Sequence, residues 1–170
     1  MGEQWPPMLD DVLGPRLKIV FCGTAVGTKS ASIGAYYAGP GNKFWPTLYA
    51  IGLTPRQLAP REFAMLPEFG LGLTDIVKCR AGNDAVLQQS DFDVAGFRER
   101  ILLHAPQIVA FNGKKAASVF MSKGTDEIGY GRQLTQIGKS SVFVLPSTSG
   151  AASGYWNEAF WHEIGRVVST

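Results

Sequence analysis

Histidine and cysteine are both scarce, with two of each in 170 residues. Cys22 and Cys79 lie far apart and form no CxxC pair. Two thiols alone cannot hold an iron–sulfur cluster or a disulfide framework. Both sit in apolar runs, which predicts two buried, reduced thiols. His104 closes one predicted helix and His162 lies in another, so surface or capping roles are expected and a zinc site is not. No cofactor is expected. Strong charge of one sign is also missing: the net charge is only +2. That excludes a polycationic tail, so any contact with nucleic acid needs a local patch. No window of about twenty apolar residues exists, so no membrane span is expected. Met1 to Pro15 carries acids and prolines instead of a basic end followed by an apolar run, unlike a secretion signal. The expected location is the cytoplasm.

What is present fits one folded domain over residues 1–170. Apolar runs at Leu17–Cys22, Gln107–Phe111 and Ser141–Leu145 read as buried parallel strands, and Leu73–Lys78 as a fourth. Helical patterns lie between and after them, at Asn42–Ile51, Pro60–Leu66, Asp91–His104, Lys114–Met121 and Tyr155–Val168. Asp91 is a plausible cap. Alternating strands and helices predict an α/β fold, a three-layer α/β/α sandwich around a mainly parallel, four-stranded sheet. Ligands in such folds bind beyond the carboxyl ends of the strands. Four segments converge there: Gly23–Ser32, the neighbourhood of Asp75, Asn112–Lys114 and Pro146–Ser153.

The segment Tyr36–Pro46 holds four aromatics, one amide and one lysine between turn-forming glycines and prolines. Flat rings stack on bases, amides orient water or read base edges, and lysines meet phosphates. The same composition also fits an apolar loop entering a helix at Asn42. Gly23-Thr24-Ala25-Val26-Gly27-Thr28-Lys29-Ser30 resembles a phosphate loop only superficially. Thr28 stands where the second glycine is required, so nucleotide hydrolysis is disfavoured. Main-chain N–H groups of such a turn can still face a ligand oxygen. Pro146–Gly154 is rich in hydroxyls and glycine, suiting close approach to a phosphate or a flexible loop. Asp75, in an apolar strand, must be paired, protonated or functional. Asn112 is a candidate amide reader and a candidate helix cap.

Together these segments resemble the uracil-DNA glycosylase superfamily. Val20–Gly27 is similar to the Gly-x-Asn-Pro-Gly motif of the mismatch-specific uracil/thymine branch. Tyr36–Pro46, Phe111–Ala116 and Leu145–Ser149 are most similar to the hypoxanthine-DNA glycosylase branch. Leu73–Arg80 resembles a strand of the iron–sulfur-bearing branch, without that branch's extra cysteines. The resemblance implies a monofunctional enzyme that flips and excises uracil from DNA, acting as a monomer near the nucleoid. Hypoxanthine or mismatched thymine are the alternative bases. A non-catalytic module for uracil or abasic DNA is a second reading, and a flavodoxin-like nucleotide binder a third.

The resemblance also implies roles. Ala25 stands where most branches place Asn, Asp or Glu to position the attacking water, and Ser147 where many place His or Asn. Asn42 matches the catalytic asparagine of the hypoxanthine branch. Tyr37 matches the phenylalanine that stacks on the base. Gly23 and Thr24 supply the turn facing uracil O2, Asp75 faces the Watson–Crick edge, and Asn112 adds a donor. Gly27, Ser30 and Tyr36 are candidates for the wall excluding the thymine methyl. DNA contacts are expected from Lys43, Lys114, Ser147, Thr148, Ser149 and Gly150, with no obvious wedge among them.

Overall fold

The computed structural model describes residues 8–169. The reading of residues 1–15 falls partly outside them. Strands β1 (Ile19–Gly23), β2 (Leu71–Asp75) and β3 (Ile108–Asn112) are buried at every position. Such strands need apolar residues on both faces. Two further strands complete the sheet, β4 (Gly131–Ile137) and β5 (Ser140–Leu145). The strand order is β2-β1-β3-β5-β4. The first four in that order run parallel, and β4 pairs antiparallel with β5.

The sheet therefore has five strands, where four were expected. The missing one is β4, whose solvent-facing residues Arg132, Leu134, Thr135 and Gln136 leave no continuous apolar run. It turns back through Gly138, which has φ 57, a conformation glycine adopts without steric cost. β2 also begins earlier than expected and stops at Asp75, not Lys78. Beyond it, the N–H groups of Ile76 and Val77 donate to the carbonyls of Gly23 and Thr24 at 3.1 and 2.8 Å.

Among the described residues, five α-helices flank the sheet: α1 (Thr28–Ile33), α2 (Phe44–Ala50), α3 (Val94–His104), α4 (Lys114–Met121) and α5 (Glu158–Ser169). α1 lies where a loop was expected. α3 is capped by Asp93, whose carboxylate accepts from Gly96 N, and not by Asp91. Pro60–Phe69 forms a 3-10 helix.

Alternate strand residues feed two cores. Ile19, Phe21, Leu73, Ala110 and Phe143 pack with Phe44, Trp45, Leu48, Trp161 and Ile164 on one face. Val20, Cys22, Val109, Phe111 and Val142 pack with Phe97, Ile101, Ala116 and Phe120 on the other. Cys22 is buried as expected, but Cys79 is exposed, because the chain leaves the sheet before reaching it. Among the described residues no helix is long and apolar enough to cross a membrane.

The outer edge of β2 is partly covered by Val12, which exchanges two 2.9 Å main-chain bonds with Leu73. Gly72 lies beneath this crossing. A Cβ there would stand 2.5 Å from Val12 O and 2.8 Å from Leu17 Cδ1. Gly72→Ala is expected to lower stability by about 1–3 kcal/mol, the usual cost of overfilling a packed interior. The urea midpoint, with the slope unchanged, measures it.

Candidate active site

The parallel register aligns Gly23 with Asp75 and Asn112 with Leu145, so four strand ends share one rim. A cavity of about 690 Å³ opens there. The opening turn, the 36–42 segment, Asp75, the Asn112–Lys115 segment and the 147–152 loop all line it. The convergence expected from sequence is thus realised in space. Gly23 needs to be glycine because of this crowding: a Cβ would lie 2.6 Å from Asp75 Oδ1 and 3.3 Å from the Tyr37 hydroxyl.

Asn42 and Tyr37 are both fixed by Phe44, the first residue of α2. Asn42 Oδ1 accepts from Phe44 N at 3.0 Å, which closes the turn and defines which end of the amide is oxygen. The Tyr37 ring lies 4.1 Å from that of Phe44, tilted by 30°. Tyr37 adopts φ 53, so its backbone is left-handed. Its hydroxyl is buried and has no hydrogen-bond partner. Burial, then the charge of Asp75, push that phenol well above its ordinary range, while the nearby Asn112 amide opposes the rise.

Asp75 is 2% exposed and its Oδ2 accepts no hydrogen bond. Lys78 Nζ stands 3.8 Å away but is only 2.7 Å from Asp11. Arg100 also pairs with Asp11, at 3.0 Å, and donates to the main-chain oxygen of Asp75. Lys78 thus serves Asp11 first, and Arg100 is shared between Asp11 and the main chain of Asp75. Burial pushes the Asp75 carboxyl up to about 6, with the charge of Lys78 working against it.

Asn112 is committed more fully than expected. Its Nδ2 donates to Thr148 Oγ1 at 2.9 Å and its Oδ1 accepts from Thr148 N at 3.0 Å. It does not cap α4, whose N-cap is Gly113 with no side-chain bond. Thr148 is buried, so its hydroxyl serves this clamp and is not presented to a phosphate. Ser147 Oγ accepts from Ser149 N, and Ser149 Oγ accepts from Ala151 N. The 147–150 loop packs against the 40–43 segment through Gly150 and through a 2.8 Å bond from Lys43 N to Thr148 O.

Of the expected lysines, Lys114 lines the cavity, with its Nζ 4.5 Å from the centre of the Tyr130 ring. Lys43 is not among the lining residues, because its ammonium lies over Trp156 at 5.6 Å. Lys29 and Lys115, not singled out from sequence, line the cavity instead. Gly27, Ser30 and Tyr36 line it too, but two of their hydroxyls are engaged: Ser30 Oγ accepts from Ala38 N, and the Tyr36 hydroxyl donates to Asp10 O. Asp84 was also missed. It enters the cavity from the 82–86 loop, beside Thr24. Only the loop's Gly-Asn-Asp turn composition hinted at a structured excursion there. Tyr155, 77% exposed, ends the 3-10 helix Gly150–Tyr155 that leaves the rim. Among the described residues, no His, Cys, Asp and Glu side chains gather as a metal site requires.

The parallel sheet carries a glycine turn, an aromatic–asparagine segment and a hydroxyl-rich loop together at its carboxyl rim. The family model of the uracil DNA glycosylase superfamily matches residues 11–165. The chain belongs to that superfamily. The solution NMR structure of a candidate uracil DNA glycosylase from Methanosarcina acetivorans shares the fold, with a TM-score of 0.62 at 23% identity. The match covers 95% of this chain and 97% of that one.

The raised carboxyl of Asp75 links stability to pH. The folded state holds its proton up to about pH 6. The unfolded chain releases the same proton near pH 4. Stability therefore falls as pH rises through that interval, and the cost persists above it. Asp75→Asn is expected to raise stability at pH 8 by roughly 1–3 kcal/mol, and much less at pH 4. Urea titrations of both proteins at the two pH values measure the difference.

Proposed function

We propose that the chain is a monofunctional DNA glycosylase that extrudes uracil from DNA and hydrolyses its N-glycosidic bond, leaving an abasic site. The observation that carries this reading is the meeting of Tyr37, Asn42 and the Gly23–Ala25 turn in one cavity at the strand ends. Extrusion costs a few kcal/mol, which stacking and hydrogen bonds in the pocket offset. Tyr37, backed by Phe44, is the ring on which the base stacks. Asp75 accepts from uracil N3–H when ionised. The main-chain N–H groups of Thr24 and Ala25 face O2, where negative charge grows as the bond breaks. Donors of this kind are worth roughly 3–4 kcal/mol each. Asn42 Oδ1 has a second lone pair beyond its bond to Phe44 N. That lone pair accepts a water proton and turns the water oxygen towards the anomeric carbon.

Ser147 and Ser149 lie at the rim, and Lys29, Lys114 and Lys115 supply the local positive patch that the small net charge requires. Tyr155 provides the large exposed ring that the neighbouring glycine-and-alanine stretch lacks, and it fills the gap left by the extruded base. The protein acts as a monomer on DNA, in the cytoplasm at the nucleoid.

Hypoxanthine is the second reading. It presents the same imino N–H to Asp75, and small Ala25 leaves space for a purine in the cavity. Oligonucleotides carrying uracil, hypoxanthine or T opposite G, incubated with the protein and then with hot alkali, separate the cases. Strand scission at uracil supports the first reading, and scission only at hypoxanthine supports the second. Retention without scission supports a binding module.

Asn42→Ala is expected to slow single-turnover uracil release more than tenfold while DNA binding survives. Tyr37→Ala is expected to reduce release more than it reduces affinity for abasic DNA, since the lost contact is with the base. Quench-flow release and fluorescence anisotropy on the same oligonucleotides measure both.

A further inference from the structure

Ala25 leaves the opening turn without the carboxylate or amide that would activate water, and the structure brings another carboxylate to that turn. Gly82 N donates to Val26 O at 3.0 Å, pinning the 82–86 loop beside the turn. Gly82 has φ 137, and a Cβ there would meet Val86 Cγ2, so the pinned bend requires glycine. Asn83 Oδ1 accepts from Ala85 N, which sets Asp84 as the first residue of a short 3-10 helix. From there the Asp84 side chain lines the cavity beside Thr24, the residue preceding Ala25. Asp75 and Asp84 are the two carboxylates lining the cavity among the described residues. Asp75 is sunk at the strand end, whereas Asp84 stays solvent-accessible and can meet a water.

The geometry points to Asp84 as the general base of the reaction, standing in for the side chain that Ala25 lacks. This rests on the glycosylase reading above. In the step, the glycosidic electron pair leaves with the base, which departs as an anion. Water oxygen bonds to the anomeric carbon, and one water proton passes to the Asp84 carboxylate. That proton then moves to solvent or to the departed base. Partial burial raises the Asp84 carboxyl, while the neighbouring Thr24 and the Lys115 ammonium oppose the rise. The other charged groups sharing the cavity are Asp75 of β2, Lys29 of α1 and Lys114 of α4.

Single-turnover release from uracil-containing duplex, with abasic-DNA affinity measured alongside, tests the role in the full chain. Asp84→Asn keeps the shape and polarity of the side chain but cannot take a proton. The expected result is that Asp84→Asn and Asp84→Ala both lose at least tenfold in release, keep affinity within twofold, and show a flatter rise of rate with pH on the acid side. Asp84→Glu is expected to recover part of the rate. Asp84→Asn releasing uracil within twofold of the parent overturns the assignment while leaving the glycosylase reading intact. A loss in Asp84→Ala alone shows that the residue only holds the loop, and equal losses of release and affinity in both variants show the same. A parent protein that releases no base from any of the oligonucleotides overturns the glycosylase reading itself, and the role of Asp84 with it.

Discussion

The packing of Phe44 governs how the candidate site is assembled. Its ring meets Phe21 of β1 edge-on at 5.3 Å and Trp161 of α5 at 6.2 Å, so it is anchored to the sheet and to the last helix together. The same ring supports Tyr37, and the Phe44 main-chain N–H donates to the side-chain oxygen of Asn42. Aromatic pairs at such separations contribute about 0.5–1.5 kcal/mol beyond the area they bury. The ring expected to receive a base and the amide expected to hold water thus rest on one buried side chain. Their spacing relative to the strand ends follows from the core, not from the loop.

The polar side of the site has a different origin. Asp11, contributed by the segment before β1, sits between Lys78 and Arg100, at 2.7 and 3.0 Å. Asp75 is left with a cation 3.8 Å away and no donor on Oδ2. Burying a carboxylate this way is costly unless something answers it. A ligand offering an N–H supplies the missing partner. The electrostatic imbalance therefore lies in the arrangement of charges around Asp11, just behind the cavity wall.

Much of this was legible in the chain. β1, β3 and β5 stood out because strands buried on both faces are continuous apolar runs, and the Tyr36–Pro46 segment stood out by its density of rings. β4 did not, because only Gly131 and Ile137 of its seven residues are buried and the rest looks like a loop. The destination of each polar group was harder to read. Asn112 and Thr148 each looked like reagents for a base or a phosphate, yet they satisfy each other. That pairing joins residues far apart in sequence, and no local pattern encodes it. Asp84 was invisible for the same reason: its position depends on Gly82 meeting Val26 across two loops.

The left-handed backbone of Tyr37 has a consequence for how this loop tolerates change. A residue bearing a Cβ spends about 1–2 kcal/mol to occupy that region. Glycine would relieve the tension, yet it would uncover Phe44 and remove the ring proposed to receive a base. The chain keeps an uncomfortable tyrosine where comfort alone favours glycine. Substitutions that ease the backbone and those that preserve the ring pull in opposite directions at this position, so stability and recognition cannot both be improved there by one exchange.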